Sequence, residues 1–280
     1  MTTPLAHDTT AGRLTDRHAG FFPTGRSARD DRRSIRWFVV LCMALVAGAV
    51  AASAASPQLV PFALALGPAV IAIALAAREG NGAVRRLLGT VVRRPTRARW
   101  YLAIAIPVLW ALGVVAIGIT LGYGKDDLFG GVFPAVVIVP LVVLLPALAE
   151  ELAWRGFAVT RLTQTMSPLK AALVLSVPWT VMHLVLHLPG GVNEGAALWP
   201  TVLDIVTYSI VLTWVFVGSG GSALLTGVVH AGLNGVVPLM SGIDFDASWV
   251  IRALLAAVIA IAIVAFGGFR RLRAPDAATT

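Results

Sequence analysis

The chain has 280 residues, of which 58% are hydrophobic and 13% are charged, and its mean hydropathy is +0.83. Soluble globular proteins carry about 45–50% apolar and about 25% charged residues, so this composition argues against a water-soluble domain, a disordered chain and a fibrous repeat. The formal net charge is +8, which in a soluble chain would raise nucleic-acid binding as a function. The single cysteine, Cys42, excludes an intrachain disulfide.

The apolar runs predict an all-α, polytopic transmembrane bundle with about eight spans, because a span needs about 20 apolar residues. Residues 1–36 are polar and predict a disordered basic tail, 37–269 form the predicted membrane domain, and 270–280 form a short tail. The runs lie at 37–56, 59–77, 100–122, 132–149, 168–188, 200–217, 221–240 and 248–269.

The first run has an alternative interpretation as a cleaved signal peptide. Small residues at 51–56 resemble a cleavage site. The polar segment before the run is long, and the run itself is longer than the apolar part of a usual signal peptide. We therefore expect an uncleaved helix.

The distribution of basic residues predicts the orientation of the bundle. Those of the tail, of the 78–99 loop and of the 270–273 end, with Arg161 and Lys170, fall on one side of an eight-span arrangement. Lys125 and Arg252 fall on the other side. Lys and Arg are retained in cytoplasmic loops, so both termini are predicted to be cytoplasmic in a multi-pass cell-membrane protein, with a prokaryotic plasma membrane expected. The charge is then an orientation signal, and we expect membrane lipids rather than nucleic acid as partners.

The acidic residues of the loops support this orientation. They fall on the side opposite the basic residues: Asp126, Asp127, Glu194, Asp244 and Asp246.

A first polar group follows the fourth apolar run. An ionisable side chain costs about 2.5–3.5 kcal/mol at mid-bilayer, so each one near a span is a functional hypothesis. On a helix, Glu151 and Arg155 form an i, i+4 pair, while Glu150 points about 100° away and stays available as a base. The alternative is that this group only marks the cytoplasmic end of a helix.

Two further polar groups lie in the fifth and seventh runs. Trp179, His183 and His187 recur every four residues, so they share one helical face. The histidines could be a metal-ligand pair, or one functional and one structural histidine. His230 and Asn234 also lie four apart and could bind a metal, hold an oxyanion or form a helix-packing hydrogen bond.

A carboxylate, imidazoles and an amide from three helices fit the attack of water on an amide carbonyl. One mechanism lets Glu150 polarise the water while the other groups stabilise the developing charge. In the other, Zn²⁺ or another divalent metal bound by Glu150, His183 and His230 lowers the pKa of the water. The sequence is equally compatible with a bound metal and with no cofactor. It contains neither the HExxH motif of soluble zinc proteases nor the GxSxG motif of serine hydrolases.

These motifs resemble those of the CPBP intramembrane proteases, which include the type II CAAX prenyl proteases and the bacterial Abi proteins. EExxxR corresponds to Glu150, Glu151 and Arg155, and the aromatic-xxx-His motif to Trp179 and His183. HxxxN follows as His230 and Asn234, and the three motifs together cover about 132–240.

The resemblance implies a membrane endopeptidase, labelled a metalloprotease or a glutamate-type protease, with a cavity open to the cytoplasm. It would cleave membrane-associated or lipidated proteins or peptides, as in CAAX processing. By motif, Glu150 and His183 would activate water, and His230 and Asn234 would hold the oxyanion or complete a metal site. Glu151 and Arg155 would support this arrangement.

Two questions stay open within this interpretation. His187 has a family-like flank and is the alternative to His183, which we prefer because an aromatic residue precedes it by four positions. The competing functions are a non-proteolytic scaffold or immunity protein of the same fold, and a transporter or proton relay. The intact motifs favour the enzyme, while neither the substrate nor the oligomeric state is specified by the sequence.

Overall fold

The structure is a computed structural model that describes residues 22, 24–80, 82–125, 132–270 and 272. In these ranges the regular structure is helical, and β-pairing is limited to one isolated bridge between Gly124 and Ile243. The predicted all-α fold is confirmed. Most of the predicted tails, at 1–21 and 273–280, and the acidic residues Asp126 and Asp127 lie outside the described residues.

The described part of the chain forms α-helices joined by short 3₁₀ turns and one π-helical segment. Their bounds are α1 (Ala28–Ser53), α2 (Val60–Glu79), α3 (Ala83–Val92), α4 (Ala105–Thr120), α5 (Val132–Glu151), α6 (Thr160–Leu162), α7 (Pro168–Leu184), α8 (Leu198–Gly218), α9 (Ala223–Gly235) and α10 (Phe245–Ala265). The π-helical segment Leu152–Val159 links α5 to α6. The 3₁₀ turns are Pro57–Leu59, Ala98–Ile104, Val185–His187 and Val237–Met240.

Seven helical segments within the described ranges are long and apolar enough to cross a membrane: Ala28–Ser53, Pro57–Glu79, Ala98–Thr120, Pro168–His187, Leu198–Gly218, Ala223–Met240 and Phe245–Ala265. The 20-residue helix α5 occupies the remaining predicted run. A helix therefore lies in each of the eight predicted runs, and the polytopic helical bundle is confirmed.

The first helix starts earlier than the apolar run predicts. α1 begins at Ala28, after the cap residue Ser27, whose Oγ accepts a hydrogen bond from the backbone N–H of Asp30. Residues 28–36, which we assigned to a disordered tail, are thus helical. Hydropathy locates the part of a helix that suits the membrane, whereas a polar cap determines where the helix begins.

A short amphipathic helix, α3, lies in the predicted 78–99 loop. It buries Ala83, Leu87 and Thr90 and exposes Arg85 and Arg86. Ten residues are too few for a span, so the hydropathy pattern gave no signal for this helix.

Close packing of α5 against α9 brings the end of α5 beside the middle of α9. These two helices form the most extensive helix–helix contact in the described part of the bundle. A Cβ atom on Gly227 of α9 would lie 2.5 Å from Cδ2 of Leu148 on α5. The same Cβ atom would lie 3.2 Å from the backbone Cα of Leu148, so a larger residue would have to displace α5, and small residues are common where membrane helices approach closely.

Replacing Gly227 tests this contact. Gly227→Ala should destabilise the protein by about 1–3 kcal/mol, because the added methyl group pushes α5 and α9 apart. Thermal unfolding in detergent measures the effect. Gly48→Ala in α1 is the matched control, since no atom lies within 4 Å of its added Cβ. Equal unfolding temperatures for the two variants would contradict the proposed close contact.

Candidate active site

The first polar motif lies where an α-helix changes into a π-helix. α5 ends at Glu151, and residues 152–159 continue as a π-helical segment in which every residue is buried. π-Helical turns are rare and often occur at functional sites. Despite the changed winding, the guanidinium of Arg155 still reaches the carboxylate of Glu151.

A buried ion cluster joins three elements of the fold. Arg155 Nη1 donates to Glu151 Oε1 at 2.7 Å, which is the i, i+4 contact that the spacing predicts. His230 Nδ1, from α9, lies 3.0 Å from the same oxygen. The three side chains are 0–2% exposed. Because a carboxylate oxygen only accepts hydrogen bonds, Nδ1 of His230 donates to an ionised Glu151.

Glu150 points away from this cluster, as the helical geometry predicts. Its Oε2 accepts a hydrogen bond from the indole Nε1 of Trp179 at 2.8 Å. It is half-buried and lines a pocket of about 30 Å³ together with His183 of α7 and with Pro61 and Leu64 near the start of α2. The structure thus brings the predicted base and one predicted histidine to the same pocket.

The hydrogen bonds of His183 define its tautomer. Nδ1 lies 2.9 Å from the backbone carbonyl oxygen of Trp179, one turn earlier in α7. A carbonyl oxygen only accepts, so Nδ1 carries the proton of the neutral ring, and Nε2 is an acceptor. An acceptor nitrogen beside a carboxylate can hold a water molecule.

Trp179 connects the two parts of the site. Its ring centroid lies 5.3 Å from that of His183 and 5.6 Å from that of His230, both in edge-on geometry. The guanidinium carbon of Arg155 lies 4.5 Å from the centre of the same ring, within the range of a cation–π contact. The indole thus contacts residues of all three motifs.

Two other predicted residues lie apart from the Glu150 pocket. His187 Nδ1 is 3.1 Å from the carbonyl oxygen of Ala196, and its ring faces Trp249 of α10 with centroids 6.3 Å apart. Asn234 is exposed, and its side chain forms no hydrogen bond within the described ranges. Its amide is thus not held by the other predicted site residues.

The predicted metal ligands do not form a compact donor set. Among the described residues, no three His, Cys, Asp or Glu side chains are grouped as metal ligands. Nδ1 of His230 faces Glu151 across the buried cluster, and Oε2 of Glu150 accepts from the indole. The set of Glu150, His183 and His230 does not fit a three-ligand metal centre in this arrangement.

Some contacts of the site were not predicted from the sequence. Neither the bond from Trp179 to Glu150 nor that between His230 and Glu151 follows from helical spacing, because each joins two helices far apart in the chain. The only sequence signal was the indole N–H itself, a donor that a phenylalanine at this position would lack.

A second buried ion pair lies between α8 and α10. Arg252, which lies on the less basic side of the predicted eight-span arrangement, donates from Nε to Asp204 Oδ2 at 2.7 Å. Its guanidinium carbon also lies 4.1 Å from the centre of the Trp249 ring. Pairing accounts for an arginine within a predicted span.

Comparison with known families supports the motif assignment. Residues 132–236 match the family model of type II CAAX prenyl endopeptidases that are Rce1-like. The match runs from the start of α5 to the residue after α9 and includes all three motifs. It confirms the resemblance to the CPBP and CAAX protease family and supports a membrane endopeptidase. No curated protein sequence matches the chain.

Breaking the buried cluster tests its role in stability. Arg155→Gln should cost about 3–5 kcal/mol, because it removes the guanidinium partner of the buried Glu151 carboxylate. Denaturant unfolding in detergent measures the loss, and the exposed Arg85→Gln is the control. The double variant Glu151→Gln/Arg155→Gln should lose less than the sum of the two single variants. Additive losses would contradict direct coupling.

Proposed function

We propose that this chain, whose residues 132–236 are Rce1-like, is an intramembrane endopeptidase that cleaves membrane-associated or lipidated proteins or peptides. The observation that carries the proposal is the shared pocket of Glu150 and His183. A carboxylate and an imidazole acceptor at one pocket can bind and activate a water molecule. We further propose that the termini and the entrance of the pocket face the cytoplasm of a prokaryotic cell.

The hydrolytic step uses Glu150 as general base. Trp179 holds Oε2 of this carboxylate, so Oε1 is the oxygen that accepts a proton from water, while Nε2 of His183 accepts the second hydrogen bond of the water. The water oxygen forms a bond to the carbonyl carbon as its proton moves to Glu150. When the C–N bond breaks, the leaving nitrogen takes that proton, and Glu150 is ionised again.

His230 and Asn234 supply the proposed oxyanion contacts. Their i, i+4 spacing places both on one face of α9. Since Nδ1 of His230 already donates to Glu151, Nε2 becomes a donor when the ring is an imidazolium, and the ionised Glu151 stabilises that charge. The exposed amide of Asn234 is free of protein partners in the described ranges and can turn its N–H groups toward the substrate.

Of the two mechanisms that the sequence leaves open, we propose the glutamate-type one. Its support is the contact pattern: Glu150 and His183 line the same pocket, whereas His230 is paired with Glu151. A zinc enzyme would need the same three side chains to converge on one ion. Purified enzyme should retain its activity after treatment with a chelator. Activity that is lost and then restored by Zn²⁺ would overturn this choice.

Glu150→Gln provides the first test of the proposed function. The amide cannot accept a proton, so the turnover number should fall by about 10²–10⁴-fold, with unchanged helical content by circular dichroism. Cleavage of a quenched-fluorescence peptide library by protein in detergent measures the rate.

Cleavage by Glu150→Gln at the wild-type rate would show that another group is the base. If the wild-type protein cleaves no peptide, with or without a lipid attached, the scaffold and transporter functions are favoured instead.

The second test separates His183 of α7 from His187 of the 3₁₀ turn that follows it. His183→Ala should lower the turnover number by about 10²-fold or more, because it removes one of the two groups that hold the water. His187→Ala is the matched control from the same helix end, and it should retain most of the activity. If His187→Ala loses more activity than His183→Ala, the active site lies beside His187 and Trp249 instead.

A further inference from the structure

A groove on the surface of the bundle lies apart from the proposed active site. It has a volume of about 450 Å³, within the range of small-molecule sites. It is bordered by the turn Ala98–Ile104 with the start of α4, by the end of α8 and by the segment after α10. Its lining includes Arg99, Trp100, Leu102, Ile106, Trp214 and Leu272. We call it the tryptophan groove, and none of these residues lines the Glu150 pocket.

Two tryptophan rings form the inner wall of the groove. The ring centroids of Trp100 and Trp214 lie 4.7 Å apart in an edge-on geometry. Trp100 is buried and packs on Gly218 at the end of α8, where an added Cβ atom would overlap its ring. Because Trp100 is held between the start of α4 and the end of α8, this wall is preformed, and a ligand does not have to order it.

Two hydrogen-bond donors at the groove have no acceptor among the described residues. Arg99 is exposed, and no described residue forms a hydrogen bond or an ion pair with its guanidinium. The indole Nε1 of Trp214 donates to no described residue either. It lies beside Gly268 of the groove, whose added Cβ atom would be 3.0 Å from Nε1. A ligand that satisfies both donors must carry acceptor oxygens.

The charge at the groove favours an anion. None of the described lining residues is acidic. Residues 80–125 and 247–275, which supply two of the three borders, contain no Asp or Glu. The one acidic residue of α8, Asp204, is paired with Arg252. The charge of Arg99 is therefore not compensated by these borders, and a guanidinium suits phosphate oxygens because it can form two parallel hydrogen bonds to them.

The setting of the groove favours a phospholipid over a free anion. Arg99 directly precedes the apolar run 100–122, and Trp214 lies four residues, about 6 Å, before the end of α8. Arginine and tryptophan at the ends of spans lie at the level of the lipid headgroups. Leu102, which is 75% exposed, and Ile106 follow Arg99 over about 10–14 Å of helix axis. The groove thus has a charged end and an apolar length, as a lipid molecule does.

We propose that the tryptophan groove binds one anionic phospholipid. Its phosphate contacts Arg99, an ester oxygen accepts the indole N–H of Trp214, and one acyl chain lies along Leu102 and Ile106. A lipidated substrate is less suited to this place, because the groove lies between α4, α8 and α10, whereas the Glu150 pocket lies between α2, α5 and α7. The lipid site does not depend on the proposed catalytic function.

The first test compares two arginines of the same segment. Arg99→Gln removes the guanidinium of the groove, whereas Arg97→Gln removes an exposed guanidinium that does not line it, with the same loss of charge. Native mass spectrometry of the full chain in detergent, titrated with phosphatidylglycerol, measures lipid binding. Arg99→Gln should raise the dissociation constant by about tenfold, because charge-assisted hydrogen bonds to the phosphate are lost. Arg97→Gln should raise it by less than about threefold.

The second test concerns the indole N–H. Trp214→Phe keeps an aromatic ring against Trp100 but removes the donor, so phosphatidylglycerol should bind about three- to tenfold more weakly. Thermal unfolding of each variant without added lipid shows whether the fold is retained. Unchanged binding by a folded Trp214→Phe would remove the indole from the proposed site.

Four outcomes would overturn the proposal. Equal weakening by Arg99→Gln and Arg97→Gln would indicate diffuse surface charge instead of a site. Phosphatidylcholine binding as tightly as phosphatidylglycerol would show that the headgroup charge is not recognised. Displacement of the lipid by millimolar glycerol phosphate, which has no acyl chain, would show that the apolar length is not used. Displacement by an equimolar lipidated peptide would assign the groove to the substrate.

Discussion

The arrangement of the site depends on the buried ion pair between Glu151 and Arg155. Two charges removed from water are stable only when they are paired, so neither side chain can turn toward the membrane or the pocket. Because adjacent helical residues point about 100° apart, fixing Glu151 also directs Glu150 toward α7. The same carboxylate holds His230, so one buried group sets the position of side chains from α5 and α9.

The spacing of residues along the chain predicted the contacts within one helix. It did not predict the contacts between helices. The Glu151–Arg155 contact follows from i, i+4 geometry. The apolar runs predicted the helices of the bundle, because a helix that crosses a membrane needs a minimum apolar length. The helix α3 was missed because it is too short and too amphipathic for that criterion. The partner of Glu150 was missed because it comes from a different helix, α7, and helical spacing does not predict contacts between separate helices.

Charges that conflict with the hydropathy pattern have partners in the folded chain. In an isolated α10, the charge of Arg252 would raise the free energy of placing the helix in the membrane. In the bundle, Arg252 pairs with Asp204 of α8. Such a pair ties two helices together, since separation would leave both charges unpaired in the membrane. Polar residues within the spans thus serve one of two purposes in this protein: they tie helices together, or they take part in chemistry. Only those that face a pocket are candidates for chemistry.

Trp179 combines both purposes in one side chain. Its ring is buried among Arg155, His183 and His230, where any aromatic residue could pack, while its N–H reaches Glu150. A phenylalanine would keep the packing and release the carboxylate. In this chain the orientation of the proposed base therefore depends on an indole that is itself held by the buried ion cluster. The catalytic geometry and the stability of the bundle are coupled through this residue.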